Sequence, residues 1–485
     1  MSGHLSSTES AGRVYDSVTP EIVERLEKIV GPQHVIYRDP ERMVDYSHDE
    51  VPGEDHTHMP DVVVKPNSAA EISEIMRLAS ESRIPVTPRG GGSGLSGGAV
   101  PVLGGILVSL ERMNRILELD TENMVVVAEP GVVTNEIAEA AKAHNMFYAG
   151  YPMSLESCFI GGNVAENAGG GRAIKYGVTG RYVLGLEVVL PSGQIIHLGG
   201  KRVKDVTGYD LIHLIVGSEG TLGIVTQVTL RLLPAPAERM VLLVPFRDVP
   251  AAVSAVPRLM TRSGIVPCSI ELMDKLSCEI AYAHVGEKLP HRQMSALLLI
   301  EVDGSDANQV EADLNKLADL CLETGALDVL VANTPAQIKK MWRPRQMVAE
   351  AFKVIAPEVS GEDIVLPLSE IPKLDTILQR LSAKHGVRMS GFGHVGDGNI
   401  HVHTLVGDGM TSDQLRAIMP ALLRELYEQV AAIGGTLSGE HGIGSKRKAY
   451  LGMVLEPESI ALMRGIKAVF DPLHILNPGK IFPDD

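Results

Sequence analysis

The chain has 485 residues, 45% of them hydrophobic, and a formal net charge of −16 from 44 basic and 60 acidic side chains. That length corresponds to two or three domains, and the apolar fraction suffices for packed cores while excluding a disordered chain. With one Trp and 4% aromatic residues, an acidic chain lacks both the basic footprint and the stacking platforms of a nucleic-acid binder.

Four cysteines, Cys158, Cys268, Cys278 and Cys321, stand far apart with no CxxC pair. This excludes a zinc ribbon and the usual iron–sulfur ligand runs, and argues against a disulfide scaffold. Residues 1–17 are polar without an apolar centre, unlike a secretory signal, and no apolar run reaches a membrane span. The expectation is a soluble, cytoplasmic protein.

In chain order, Thr19-Pro20-Glu21 opens a helix stopped at Gly31, with Ile22, Leu26, Ile29 and Val30 on one face. Residues 61–64 read as a strand. Ser68 to Glu71 reads as a capping box opening a second helix with Ile72, Ile75, Met76 and Ala79 on its buried face. A short strand at 84–87 follows, then the glycine loop PRGGGSGLSGG at 88–98, then strands at 106–109 and 124–129 and a helix over 134–144.

A second glycine block, GGNVAENAGGG, spans 161–171, a hairpin is expected around Pro191-Ser192-Gly193, and a third block at 217–223 precedes a strand at 224–230. Three glycine-bearing turns among short strands suggest an α+β domain holding one ligand with several loops. Pro234-Ala235-Pro236 is the candidate linker. Beyond it the pattern predicts strand 241–246, helix 249–262, strands 265–272 and 296–302, and helix 306–324, a β-α-β-β-α order of ferredoxin-like type. A helix over 335–352 carries Trp342 and Arg345, and a last one spans 457–470. No internal repeat is evident in the sequence.

The glycine loop has two readings: a flexible surface loop, or backbone amides gathered into an anion cradle. Its GxGxxG match after a strand fails as a dinucleotide fingerprint, because Pro101, Gly104 and Gly105 stand where a helix must propagate. A second constellation is GFGHVGDGNIHVH at 391–403, where a hairpin turn would bring His394 and His401 together. His401 and His403 lie two apart and share a strand face. Gly439-Glu440-His441-Gly442 adds a carboxylate and an imidazole. Two imidazoles and a carboxylate suit a divalent metal with an open position, against the alternative of structural histidines. Arg345 is either a solvated side chain or a clamp for a substrate carboxylate.

Six motifs occur in one order: PRGGGSGLSGG, GGNVAENAGGG with KYG, VGSEGTLGIVT, GHVGDGNIH, GEHGIG and a terminal NPGK. Together they resemble the FAD-linked oxidases of the vanillyl-alcohol-oxidase (PCMH) type. More narrowly, the set is similar to the branch with glycolate oxidase catalytic subunits, D-lactate dehydrogenases and D-2-hydroxyglutarate dehydrogenase.

The resemblance spans about residue 55 to the C-terminus. It implies an N-terminal helical region at 1–54, a two-subdomain FAD-binding domain at 55–236, an antiparallel, ferredoxin-like substrate cap at 237–437, and a returning C-terminal segment at 438–485. By the same resemblance Arg89, Gly90, Gly91, Gly92, Ser93, Gly94, Leu95 and Gly98 would wrap a non-covalent FAD diphosphate, with Pro88 and Pro152 also in the cofactor-binding set. Gly161, Gly162, Asn163, Asn167, Ala168, Gly169, Tyr176 and Gly177 would line the flavin and ribityl chain. Glu219, Gly223, Ile224 and Val225 would take the adenine and ribose side, and Asn477 and Lys480 the isoalloxazine.

His394, His401 and Glu440 would bind a divalent metal (Zn, Fe or Mn), His441 would be the base, Arg345 would hold the substrate carboxylate and Asn399 would position substrate. The implied activity is oxidation of a D-2-hydroxy acid, D-lactate or glycolate first, to the 2-oxo acid. Alternatives are D-2-hydroxyglutarate as substrate, a non-redox enzyme like the alkyl-glycerone-phosphate synthases, or a non-catalytic FAD subunit. With no iron–sulfur ligands of its own, the chain would pass electrons to an electron-transfer flavoprotein, an iron–sulfur subunit or a quinone pathway. Three departures leave the substrate's distal group open: VLPLS at 365–369 where many members read VPRS, Arg447 at the place of the usual lysine, and His403 at a position that varies among the subfamilies.

Overall fold

The computed structural model describes residues 9–10, 13–150, 152–356 and 361–484, so much of the polar stretch read above as no secretory signal lies outside the described residues. The chain divides into two compact units. The first takes the chain up to Ala168, Val178–Pro234 and Glu440–Asp485; the second takes Gly169–Gly177 and Ala235–Gly439. Among the described residues no helix is long and apolar enough to cross a membrane.

In the first unit, helix Pro20–Val30 is capped by Thr19 and closed by Gly31, and buries Ile22, Val23, Leu26 and Val30. It shares a core with helix Ala69–Glu81 and with a four-stranded sheet ordered Val35–Tyr37, Val62–Val64, Ile106–Ser109, Val86–Arg89. The last two strands run parallel. The chain between them contains the glycine loop and no helix, as the proline and glycines after that loop dictate.

A five-stranded antiparallel sheet follows, ordered Ile195–Gly199, Val183–Val189, Ile224–Arg231, Val125–Ala128, Ile116–Asp120. The C-terminal segment returns to the first sheet. Val86 N–H donates to Ile475 O and Asn477 N–H donates to Val86 O, both at 2.7 Å. Ile475 and Leu476 are fully buried there, and such burial contributes about 1.5–3 kcal/mol per side chain.

The second unit is a seven-stranded antiparallel sheet ordered Leu330–Ala332, Glu238–Phe246, Ala296–Gly304, Ser269–Asp274, Arg388–His394, Asn399–Leu405, Glu362–Val365. Numbered along the chain, its first four strands lie in the order 4-1-3-2, the ferredoxin-like arrangement. The second half repeats that order once Thr436, bridged to Val365, is counted as its fourth strand. This repeat of topology leaves no trace in the sequence.

Several expectations need correction. Helix Lys275–His284 separates the two strands read as consecutive; Asp274 caps it by accepting from Ser277 N–H, and it buries Cys278, Ala281 and Tyr282 at helical spacing. The strand expected from 265 begins at Ser269, after Pro267, which has no N–H for a ladder. The second glycine block is not a turn throughout: Ile160–Glu166 is a helix, ended by Asn167 in the left-handed region (φ 55°). The helix over 335–352 is two, Pro335–Gln346 and Val348–Ile355, with Pro344 near the break. At Ser68 only half of the capping box forms. Ser68 accepts from Glu71 N–H, but the Glu71 carboxylate accepts from Asn67 N–H at 2.7 Å.

Candidate active site

In the first unit the strand Val86–Arg89 delivers the glycine loop. Arg89 does not point into the loop's mouth. Its guanidinium is buried and donates to the carbonyls of His48 (2.7 Å) and Asp45 (2.9 Å), bracing the loop from behind. Gly97 sits at φ 75°, and its N–H donates to Asp49 Oδ2 at 2.7 Å. Burial pushes the Asp49 carboxyl above its ordinary value, against the pull of that N–H and of Val51 N–H.

The GEHGIG segment is fastened to this loop. Ser445 and Lys446 N–H both donate to Ser96 O, at 3.0 and 3.1 Å. Fully buried Arg447 bridges Leu95 O (3.2 Å) and Gly442 O (3.1 Å). Glu219, expected on the adenine side of a cofactor, accepts from Ile443 N–H (2.8 Å) and Gly444 N–H (2.6 Å). Asn477 ties the ends together, its amide donating to Gly98 O at 3.0 Å and to Glu219 O at 2.8 Å. Lys480 donates to Val100 O at 2.5 Å, and burial depresses its ammonium to about 7 despite Asp49 and Glu219 nearby.

Buried acceptors in this unit lack a partner: Asn477 Oδ1, Ser218 Oγ and Glu166 Oε2. Burial, and then the charge of Glu219, push the Glu166 carboxyl well above the carboxylate range. On helix Ile160–Glu166, a Cβ at Gly162 would meet nothing within 4 Å. Orphaned buried polar atoms and an open backbone position in the same unit fit a ligand as rich in hydroxyl and N–H groups as FAD. Asn163 and Asn167 serve the fold: Asn163 donates to Thr134 Oγ1 at 2.6 Å, and Asn167 Oδ1 accepts from Gly180 N–H at 2.8 Å. Ile224 and Val225 are buried strand residues, and Pro152 is buried in its loop.

The second unit holds His394, His401, Arg345 and Asn399. Hairpin strands Arg388–His394 and Asn399–Leu405 pair so that Phe392 stands opposite His401. The rings of His394 and His401 meet edge to face with centroids 5.5 Å apart. His403, on the same face as His401, packs against Phe352 and Phe392 instead, at 4.7 and 5.0 Å.

Sequence reasoning missed Glu271. Its carboxylate receives His394 Nδ1 at 2.8 and 2.9 Å and Arg345 Nε at 2.7 Å. Burial pushes Glu271 up, but His394 and Arg345 overcome it and hold the group down at about 2. Asp363 was missed too. Fully buried, it accepts from Asn399 Nδ2 (2.7 Å), Ser438 Oγ (2.6 Å) and Gly439 N–H (2.8 Å), with His401 Nε2 3.7 Å away. The chain passes from that anchored Gly439 directly into Glu440 and His441, which open the last segment of the first unit.

Gly169, Tyr176 and Gly177 fall in the second unit, where Tyr176 OH donates to Asp303 Oδ2 at 2.7 Å and Lys175 pairs with the same carboxylate. The signal for Glu271 and Asp363 was available: Glu271 is a lone acid inside the apolar strand SIELM, and Asp363 is the second of two acids that open the strand EDIV. A buried carboxylate demands partners.

The donor chemistry also fits a divalent metal. With Nδ1 of His394 engaged by Glu271, Nε2 is the nitrogen that would ligate, and imidazole with carboxylate suits first-row cations.

Comparison with known proteins places this architecture in a class. The FAD binding domain family matches residues 60–199, and the family described as FAD linked oxidases, C-terminal domain, matches residues 235–481. Among solved structures, 4-ethylphenol oxidase from Gulosibacter chungangensis superposes with a TM-score of 0.78 at 20% identity, covering 97% of this chain and 99% of that one. It shares the PCMH-type fold. The chain is 39% identical over 470 residues to the glycolate oxidase subunit GlcD of Bacillus subtilis (strain 168), covering 96% of this chain and 98% of that protein. It is 38% identical over 472 residues to D-lactate dehydrogenase of Anaerostipes hadrus, with 96% and 98% covered. The protein belongs to the FAD-linked oxidase family, and it is an oxidoreductase.

Proposed function

We propose that this protein oxidises a D-2-hydroxy acid, D-lactate or glycolate first, to the 2-oxo acid, using non-covalent FAD and a divalent metal. The observation that carries the reading is the paired imidazoles of His394 and His401 set beside buried Glu271 and Arg345, in a chain whose relatives are named for hydroxy-acid oxidation. FAD, when bound, supplies the acceptor for the hydrogen of the α-carbon. A divalent cation, when bound, supplies positive charge that acidifies the α-hydroxyl.

The glycine loop, the 161–169 block and the Asn477–Lys480 turn would hold FAD; His394, His401 and Glu440 would hold the metal. His441 takes the proton from the substrate's α-hydroxyl oxygen. Arg345, anchored through Nε on Glu271, keeps N–H groups for a substrate carboxylate. Asn399 spends its amide N–H groups on Asp363 and on Ile364 O (3.1 Å), so its carbonyl oxygen is the atom it would offer to substrate. The reduced enzyme passes electrons to a separate protein, an electron-transfer flavoprotein or an iron–sulfur subunit, in the cytoplasm.

The test is anaerobic mixing of the FAD-loaded protein with D-lactate, L-lactate, glycolate and D-2-hydroxyglutarate while following flavin absorbance. Bleaching by D-lactate or glycolate supports the reading, and bleaching by D-2-hydroxyglutarate alone moves it to that substrate. Absence of bleaching with all four overturns it. Chelation or His394→Ala should abolish reduction while FAD stays bound; if reduction survives both, the histidines are structural.

A further inference from the structure

We infer that Glu271 is a positioning residue that fixes which nitrogen of His394 faces the metal and ties that ligand to Arg345. The inference rests on the metal reading given above.

The juxtaposition is built into the sheet. Strand Ser269–Asp274 pairs antiparallel with Arg388–His394, Leu272 opposite Gly393 and Met273 opposite Phe392. Continuing that register by one residue sets Glu271 opposite His394, so the contact is imposed by the ladder and not by a flexible side chain reaching across. Both groups are buried, Glu271 1% and His394 2% exposed.

Each carboxylate oxygen is engaged. Oε1 accepts from Ser269 Oγ at 3.0 Å and from His394 Nδ1 at 2.8 Å; Oε2 accepts from Arg345 Nε at 2.7 Å and lies 2.9 Å from His394 Nδ1. Arg345 Nη2 stands 2.6 Å from Oε2. A carboxylate beside a permanently charged guanidinium is an acceptor only, so the proton of this imidazole sits on Nδ1. In the neutral ring that a metal requires, the lone pair is then on Nε2, the nitrogen that would ligate, and the ring is held in one orientation. The loop residue covering the pair is Gly171, where a Cβ would fall 2.9 Å from Oε1 and 3.5 Å from His394 Nδ1. Any side chain there would displace the carboxylate.

Arg345 is held by the same carboxylate, through Oε2, so the group that would bind the substrate carboxylate and the ligand that would bind the metal share one anchor. A purely structural ion pair between Glu271 and Arg345 would leave the tautomer and the metal affinity of His394 untouched, and that difference is measurable.

The experiment uses full-length, FAD-loaded, chelator-stripped protein titrated calorimetrically with Zn²⁺, comparing wild type with Glu271→Gln, Glu271→Ala and His394→Ala. Zn²⁺ affinity should fall about 10–100-fold in Glu271→Ala and by a smaller factor in Glu271→Gln. FAD content should be unchanged. In parallel, long-range ¹H–¹⁵N spectra of ¹⁵N-histidine protein without metal should show the His394 proton on Nδ1 in wild type and a mixed or Nε2-protonated ring in Glu271→Gln; the His394→Ala spectrum assigns the peak. The isosteric Gln variant keeps the test decisive should the Ala variant misfold. If His394→Ala weakens Zn²⁺ while both Glu271 variants bind within threefold of wild type with an unchanged tautomer, the inference is overturned and the metal reading stands. If His394→Ala itself leaves Zn²⁺ binding intact, the metal reading falls and takes the inference with it.

Discussion

Lys467 anchors the returning C-terminal segment, and its removal is a demanding test of how the first unit is held together. The side chain is 6% exposed on helix Pro457–Phe470. Its ammonium donates to Thr221 O at 2.7 Å and to Leu476 O at 2.8 Å, and pairs with fully buried Asp471. Asp471 in turn accepts from Ile475 N–H (3.2 Å) and Leu476 N–H (2.8 Å), just where the chain meets Val86.

Lys467→Met keeps the apolar stem and deletes the charge. It leaves a buried carboxylate without its cation and two carbonyls short of a donor, and breaking a buried pair on one side costs about 3–5 kcal/mol. Three kcal/mol is a factor of about 150 in an opening equilibrium. Hydrogen exchange followed by mass spectrometry should therefore show the peptide covering 471–477 exchanging at least about 100-fold faster in the variant, with FAD lost at lower urea. Pairing it with Asp471→Asn should cost less than the sum of the single changes by about 1 kcal/mol or more. Exchange within threefold of wild type, or strictly additive costs, would refute this account.

Two further outcomes follow from groups around the glycine loop. Lys480, depressed to about 7 by burial, is a cationic group that the fold prefers neutral. The unfolded chain, at 10.5, binds the extra proton between those values, so folding stability rises with pH from about 7 to about 10.5 and the penalty is full and constant below about 7. Relative to Lys480→Met, which cannot titrate, wild type should gain about 3 kcal/mol between pH 7.5 and 9.5, read from urea midpoints; a pH-independent difference would show the ammonium is not buried as described. Gly97→Ala forces a side chain into the left-handed region at φ 75° and puts a Cβ 2.2 Å from Ser445 Oγ. It should destabilise by about 1–2 kcal/mol and weaken FAD retention, measured by dialysis and flavin absorbance, whereas unchanged retention would mean that this turn is not part of the cradle.

Much of the local structure was legible because its causes are local. The helix Pro457–Phe470 follows from its first-turn proline and helical spacing, and the hairpin carrying His394 and His401 follows from Gly396-Asp397-Gly398 between alternating residues. The proline after the glycine loop ruled out a helix there, and none forms. What escaped was long-range. Glu271 and His394 are 123 positions apart in the chain, and only the pairing of their strands gives the acid its partner. Asp363 is likewise defined by Ser438 and Gly439, 75 and 76 positions on. Glu219 sat in a glycine motif that pointed to a cofactor, and its carboxylate faces two amides 224 and 225 residues downstream. Helix Ile160–Glu166 was hidden by its glycine pair, because propensity weighs against helix where packing decides for it.

The division of the first unit among three stretches of chain bears on how the protein is made. A ribosome has delivered every residue of the second unit by Gly439, while the first still lacks Ile475 and Leu476. Until those two emerge, the edge at Val86 has no Ile475 carbonyl to bond and the apolar seat of Leu476 is open to water. The nascent chain must therefore carry an unfinished core past a neighbour already able to fold, the state in which exposed strand edges invite aggregation and chaperone binding. Loss of only the last dozen residues would strike a core laid down from the first hundred, leaving the unit in between with all its residues.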